Sequence, residues 1–232
     1  MNAQSLLVGF TLDPVELLVL RQAFGVRSRL FPLRLGNTTV DPVRFAALAE
    51  TVDEALDRRG LTTDRQPHSQ VRAAFELLAE HRVAVSITGA PGDLTALAVS
   101  DGAQAMTIAQ PTDDELRFDL FPAAELVSQV VGLLPPAQAA AGVPVVVGPD
   151  AYGADRLTAQ LAGPRIGGGL LAASGRGRRG RWADMLGWVD TAAGRHLVRT
   201  SSDRSGNFSA EYSPAGPREL RAALIELLEG DR

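Results

Sequence analysis

His68, His81 and His196 are the only histidines in the chain, and neither cysteine nor lysine accompanies them. Imidazole is the side chain best suited to moving protons near neutral pH and to binding transition metals. None of the three stands in an H-E-x-x-H pattern, and no two lie close enough in sequence to form a metal-binding face. No serine sits in a G-x-S-x-G turn, so the chain spells no nucleophile elbow. The absence of cysteine removes disulfides, thiol nucleophiles, iron–sulfur ligation and cysteine-based zinc sites. The absence of lysine removes Schiff-base chemistry and the P-loop amine. Asp113-Asp114-Glu115 lacks the ligand spacing of a calcium loop and reads as a turn.

Two further runs invite a ligand. Gly167 to Ala172 satisfies G-x-G-x-x-A in form, but a dinucleotide fingerprint opens a helix, and here strand pattern continues. The glycines therefore read as places where backbone or side chains approach closely within a strand. The run Arg176 to Arg181 would attract phosphates or an acidic protein surface. With a net charge of −4 and a pI near 5.4, the chain is poorly suited to nucleic acid and better suited to an acidic protein. No catalytic residue, cofactor or metal site is expected. In Trp188 to Arg195, Asp190 and Thr191 are expected to bond backbone N–H groups of a hairpin turn. Gly194 supplies positive φ, and Arg195 pairs with Asp190.

The elements that must position these residues follow from caps and turns. Asp13-Pro14 and Asp41-Pro42 each place an N-cap before proline at the first helical position. They predict helices to about Gly25 and Gly60, the second with Phe45, Leu48, Ala49, Val52 and Leu56 on one face. Residues 5–11 read as a short strand, Phe31-Pro32-Leu33 as an extended connector, and 68–81 as a helix with Val71, Phe75 and Leu78 inward. Strands at 82–90, 93–101, 103–111 and 115–122 are separated by tight turns and predict an antiparallel meander. A helix from Ala123 to Leu134 follows, then a small-residue linker at 137–149 with a strand option in Val-Pro-Val-Val-Val.

From Arg165 the order repeats: strands at 165–173, 184–190, 194–201 and 206–213, then a helix from Pro217 to Glu229. Both closing helices read E-L, six residues, L-L, at Glu125 to Leu134 and Glu219 to Leu228. The repetition predicts a tandem duplication within one domain spanning 1–232, with an N-terminal half at 1–136 and a C-terminal half at 137–232. The fold class is α+β. No apolar run reaches the roughly 18–20 residues that span a bilayer. The opening MNAQSLLVGFTLDPVE lacks a basic region and cleavage site, so no signal peptide and a cytoplasmic location are expected.

Gly163 to Thr200 is the most identifiable stretch: Pro-Arg, a Gly-rich strand, an Arg-rich loop, then W-V-D-T and G-R. Together with Leu12 to Leu20, Phe31-Pro32-Leu33, Arg58 to Leu61 and the leucine-rich last helix, it resembles the EspG family of actinobacterial type VII (ESX) secretion. The lysine-free, Ala- and Gly-rich composition agrees with a GC-rich genome. The resemblance implies a quasi-two-fold fold with a central, mostly antiparallel sheet and flanking helical bundles. It also implies a cytosolic chaperone that holds the apolar helical tip of a PE–PPE-like heterodimer or a WXG-type helical hairpin. Residues whose exposure would be unusual without such a partner are Leu97, Val99, Met106, Trp182 and Trp188, with Arg176, Arg178 and Arg179 as a charged rim. The plainer reading of the five apolar ones is sheet core. Two alternatives remain: a homodimeric assembly subunit burying the same face, and a small-molecule binding protein or hydrolase built around His196.

Overall fold

The computed structural model describes residues 9–35, 41–148, 153–161, 164–175, 185–202 and 206–229. A short strand β1 (Phe10–Leu12) leads into helix α1 (Pro14–Ala23). Asp13 caps α1 by accepting from the N–H groups of Val15 and Glu16, and the Glu16 carboxylate accepts from the Asp13 N–H in return. Asp41 caps helix α2 (Pro42–Arg58) in the same way, with Pro42 at its first position. A two-residue-per-strand hairpin, β2 (Thr62–Thr63) and β3 (Gln66–Pro67), joins α2 to helix α3 (Ser69–Glu80). The Phe31 connector is a turn, with a cis peptide before Pro32 and the Leu33 N–H bonded to the Leu30 carbonyl.

Four strands then form the expected meander: β4 (Val83–Ala90), β5 (Leu94–Ser100), β6 (Gln104–Thr112) and β7 (Glu115–Pro122). A 3-10 turn at Ala123–Glu125 enters helix α4 (Leu126–Leu133). The segment read as a linker is woven into the sheet. Strand β8 (Val145–Val147) pairs with a later strand, and Gln138 and Ala140 exchange backbone hydrogen bonds with Arg195. A short helix α5 (Ala154–Gln160), not anticipated, precedes the second meander. That meander comprises β9 (Arg165–Gly175), β10 (Met185–Thr191), β11 (Gly194–Ser202) and β12 (Phe208–Pro214), and helix α6 (Pro217–Glu229) follows it.

All ten long-sheet strands lie in the order β1-β7-β6-β5-β4-β9-β10-β11-β12-β8, and every ladder is antiparallel. The seam is the β4–β9 pair, where Ile87 faces Leu171 and both are fully buried. From that seam the two meanders run outward in opposite directions, and each ends against a three-residue edge strand. The quasi-two-fold plan therefore includes the edge strands and the helices that follow them, α1 and α5, and not only the meanders and the closing helices.

Helices α4 and α6 pack against each other on one sheet face, covering both halves. Leu126 and Leu134 meet Leu220 and Leu227 in that core, where the paired E-L and L-L positions of the sequence fall. On the opposite face, α1, α2 and α3 bury a second core over β5, β6 and β7. Val71, Phe75 and Leu78 of α3 are fully buried there. The halves differ at this point. Residues 24–82 build α2, the small hairpin and α3 between α1 and β4, whereas only residues 161–164 separate α5 from β9.

Candidate functional site

The three histidines lie apart, two at the ends of α3 and one inside the sheet. His68 caps α3, its Nδ1 accepting from the Gln70 N–H at 3.3 Å. His81 ends the same helix with Nδ1 2.9 Å from the Leu78 carbonyl oxygen. His196 lies on β11 between Val189 and Pro214 across the ladders and has no solvent exposure. Neither of its ring nitrogens has a partner, and burial holds its pKa below the usual histidine value. Asp113 pairs with Arg34 at 3.2 Å, and Glu115 with Arg117 at 2.7 Å. Among the described residues no three His, Asp or Glu side chains are grouped to hold a metal ion.

The glycine run is a strand, and no helix opens from it. Trp188 on β10 lays its indole across the neighbouring strands, and Gly169 and Gly89 leave the space for it. A Cβ at Gly89 would come within 2.8 Å of the ring, and one at Gly169 would collide with the ring and with the Thr88 carbonyl. The Gly-rich pattern therefore makes a seat for a side chain.

The 190–195 hairpin closes on a buried ion pair. Arg195 Nε and Nη2 each donate to an Asp190 carboxylate oxygen at 2.7 Å, and Nη2 also donates to the Pro135 carbonyl at 2.8 Å. Gly194 adopts φ of 120°, and a Cβ there would strike Ala139 and Ala140. Thr191 Oγ1 accepts from the Ala193 N–H and donates to the Gly194 carbonyl. Asp190 thus spends its oxygens on Arg195 rather than on turn N–H groups. The Pro135 bond and the close approach of Gly194 to Ala139 and Ala140 tie the hairpin to the chain leaving α4.

Four of the residues named as partner contacts belong to the core. Leu97, Val99 and Met106 sit under α1–α3, and Trp188 packs under α4 and α6. Strand β5 carries a helical layer on each face, so both its odd and even residues are buried. Arg176, Arg178, Arg179 and Trp182 lie outside the described residues.

Among the described residues, no helix packs over β9 and β10 on the α3-side face, although His196 of β11 on that face is fully buried. On β5 to β7 that face is sealed by helices. On β9 and β10 its counterparts are partly exposed, Leu170 at 38%, with Met185, Val189 and Val198 on β10 and β11 half-buried. Phe208, at the start of β12, is 57% exposed. Ser86, Thr88, Ala172 and Gly187 make the rest of the floor small. Helix α3 stands over β5–β7 on one side, and α5 contacts β8 on the other. Between them run five strands, β4, β9, β10, β11 and β12, which at about 4.8 Å spacing make a floor roughly 19 Å wide. A single helix is about 10–12 Å across with its side chains. Sequence reasoning missed this floor because the strand pattern names a face without saying what covers it.

A family model described as ESX-1_EspG, the EspG family, matches residues 13–226. Among solved structures, the fold is similar to that of the Mycobacterium tuberculosis type VII secretion system chaperone EspG5, determined in complex with a PE25–PPE41 dimer. The likeness covers 97% of this chain and 98% of that one, with a TM-score of 0.66 and 14% identity. No curated protein matches the sequence.

Proposed function

Since the chain belongs to the EspG family, we propose that it is a cytosolic chaperone of type VII secretion that holds the apolar helical tip of a PE–PPE-like heterodimer. The similar EspG5 structure holds a PE25–PPE41 dimer, and the reading transfers that kind of client to this chain. The observation that carries it here is the partly exposed apolar surface of Leu170, Met185, Val189 and Val198 on one sheet face. Such a surface is wide enough for a helix and shallow, as a protein-binding groove requires. Arg176, Arg178 and Arg179 supply a charged rim in this reading, and the protein acts by binding alone.

No helix is long and apolar enough to cross a membrane among the described residues. A chaperone of this kind meets its client before export, which places it in the cytoplasm.

Co-expression with the PE–PPE or WXG-type proteins encoded beside its gene, followed by size-exclusion chromatography, tests the proposal. A co-eluting complex supports it. Loss of co-elution on Leu170→Glu, with the melting temperature unchanged, places the contact on the floor. Self-association through the same face with no client retained would favour the homodimeric assembly reading instead.

A further inference from the structure

We propose that the connector leaving α1 is a docking surface for an extended acidic segment of another protein. Arg27 and Arg29 meet the carboxylates of that segment, and Phe31 anchors an apolar residue beside them. From Val26 to Phe31 burial alternates. Val26 and Leu30 are buried in the core with α1–α3 and Ser28 is half-buried, whereas Arg27, Arg29 and Phe31 are exposed, Phe31 at 67%. Such alternation is that of an extended chain, in which every second side chain stands about 7 Å from the last on one side.

The connector is held from behind. Arg21 of α1 donates through Nε to the Val26 carbonyl at 3.2 Å and through Nη2 to the Ser28 carbonyl at 2.9 Å. Ser28 Oγ donates to the Leu78 carbonyl of α3 at 3.4 Å. Beyond Phe31, the buried Gln110 of β6 acts as a strand partner would. Its Oε1 accepts from the Arg34 N–H at 2.7 Å, and its Nε2 donates to the Arg34 carbonyl at 2.9 Å. Among the described residues Arg27, Arg29 and Phe31 make no hydrogen bond or ion pair, through backbone or side chain. Three neighbouring side chains are thus displayed on a backbone fixed before a partner arrives, which lowers the ordering cost of binding.

The charges set the chemistry of the partner. Arg21 and Arg34 on either side are already bonded within the chain, Arg34 to Asp93 and Asp113. Arg27 and Arg29 remain unpaired in a protein of net charge −4. Guanidinium groups about 7 Å apart match carboxylates at alternate positions of an extended peptide. The unbonded backbone groups of Arg27 and Arg29 offer that peptide main-chain hydrogen bonds, as in strand addition. Two arginines are too few to hold nucleic acid against the net charge, and one aromatic without an amphipathic helix is a poor membrane anchor. The surface belongs to the first half, whereas Leu170, Met185, Val189 and Val198 lie on the second, so the inference does not rest on the chaperone reading.

Fluorescence anisotropy tests it, using a labelled peptide of alternating glutamate and valine that ends in leucine, and its reversed sequence. One of the two should bind saturably, and more weakly as salt rises. Arg27→Gln and Arg29→Gln should each weaken binding about two- to fivefold, and Phe31→Ser about tenfold. The melting temperature should not move, because all three side chains are exposed. Binding by neither peptide up to its solubility, or binding that all three variants leave unchanged, overturns the proposal. Sedimentation with anionic phospholipid vesicles that Phe31→Ser abolishes and the peptide does not displace also overturns it, in favour of a lipid surface. A client heterodimer that co-elutes equally with the parent and with Phe31→Ser supports a separate surface, whereas its loss would make the connector part of the client's site and overturn the proposal. Peptide binding with no heterodimer captured keeps this surface and overturns the chaperone reading.

Discussion

Gly169 of β9 lies directly opposite Trp188 of β10, and the indole ring fills the space that a side chain at Gly169 would need. The pairing explains why a run of three glycines sits at the centre of a ten-stranded sheet rather than in a loop. Gly169→Ala should therefore force the indole off its seat and destabilise the protein by about 1–3 kcal/mol. Urea unfolding followed by tryptophan emission reads both the midpoint and the ring's surroundings. An unchanged midpoint would show that the seat is not needed.

Arg195→Leu should cost about 3–5 kcal/mol, because it strands the Asp190 carboxylate in a dry site. The double variant Asp190→Leu/Arg195→Leu should recover much of that loss, since it removes the charge as well as its partner. Denaturant midpoints of the two variants, compared with the parent, decide the matter. A double variant no more stable than Arg195→Leu would mean that the Pro135 bond carries the effect.

Stability should fall with acid in a way that His196 accounts for. Its folded pKa lies below the unfolded value near 6.5 because burial disfavours the imidazolium. The unfolded chain thus takes up the proton first as pH falls. The stability that His196 contributes is complete above about pH 6.5 and is lost as the pH drops from there toward the lower folded value. His196→Phe should flatten melting temperature against pH in that window. A profile identical to the parent's would assign the acid sensitivity to carboxylates.

Asp13→Ala should cost about 1 kcal/mol by leaving the first N–H groups of α1 without an acceptor. Asp13→Asn should retain most of the parent's stability. Thermal melts of the two variants separate the cap from the charge.

Addition of EDTA, divalent metals or nucleotides should leave the melting temperature where it is. A clear upshift with a metal or a nucleotide would count heavily against a protein that works by binding alone.

Much of this architecture could be read from the chain because its signals are local. Asp-Pro pairs start α1 and α2, tight turns divide the two meanders, and the repeated leucines mark α4 and α6. The hairpin at 190–195 was legible for the same reason, since Asp190, Gly194 and Arg195 act on one another within six residues. What escaped was short or non-local. Helix α5 has seven residues, too few for periodicity to register, and β2 and β3 have two each. For Leu97, Val99 and Met106 the sequence left partner contact and sheet core both open, because nothing in β5 or β6 announces that α3 will cover them. The partial exposure of Leu170 and Val198 escaped because a strand pattern names a face without saying how much of it is covered.

The near-symmetry of the sheet also bears on how copies of the molecule would meet. Both ends of the ribbon are built alike, so a copy that paired at one edge would leave a similar edge free at the other. Each terminal strand is only three residues long, β1 at one end and β8 at the other. That brevity limits any such joint to a few hydrogen bonds and leaves no long template for a second chain to zip against. A protein whose proposed task is to keep another's sticky surface out of aggregates is thus itself blunted at the two places where a sheet is most prone to grow.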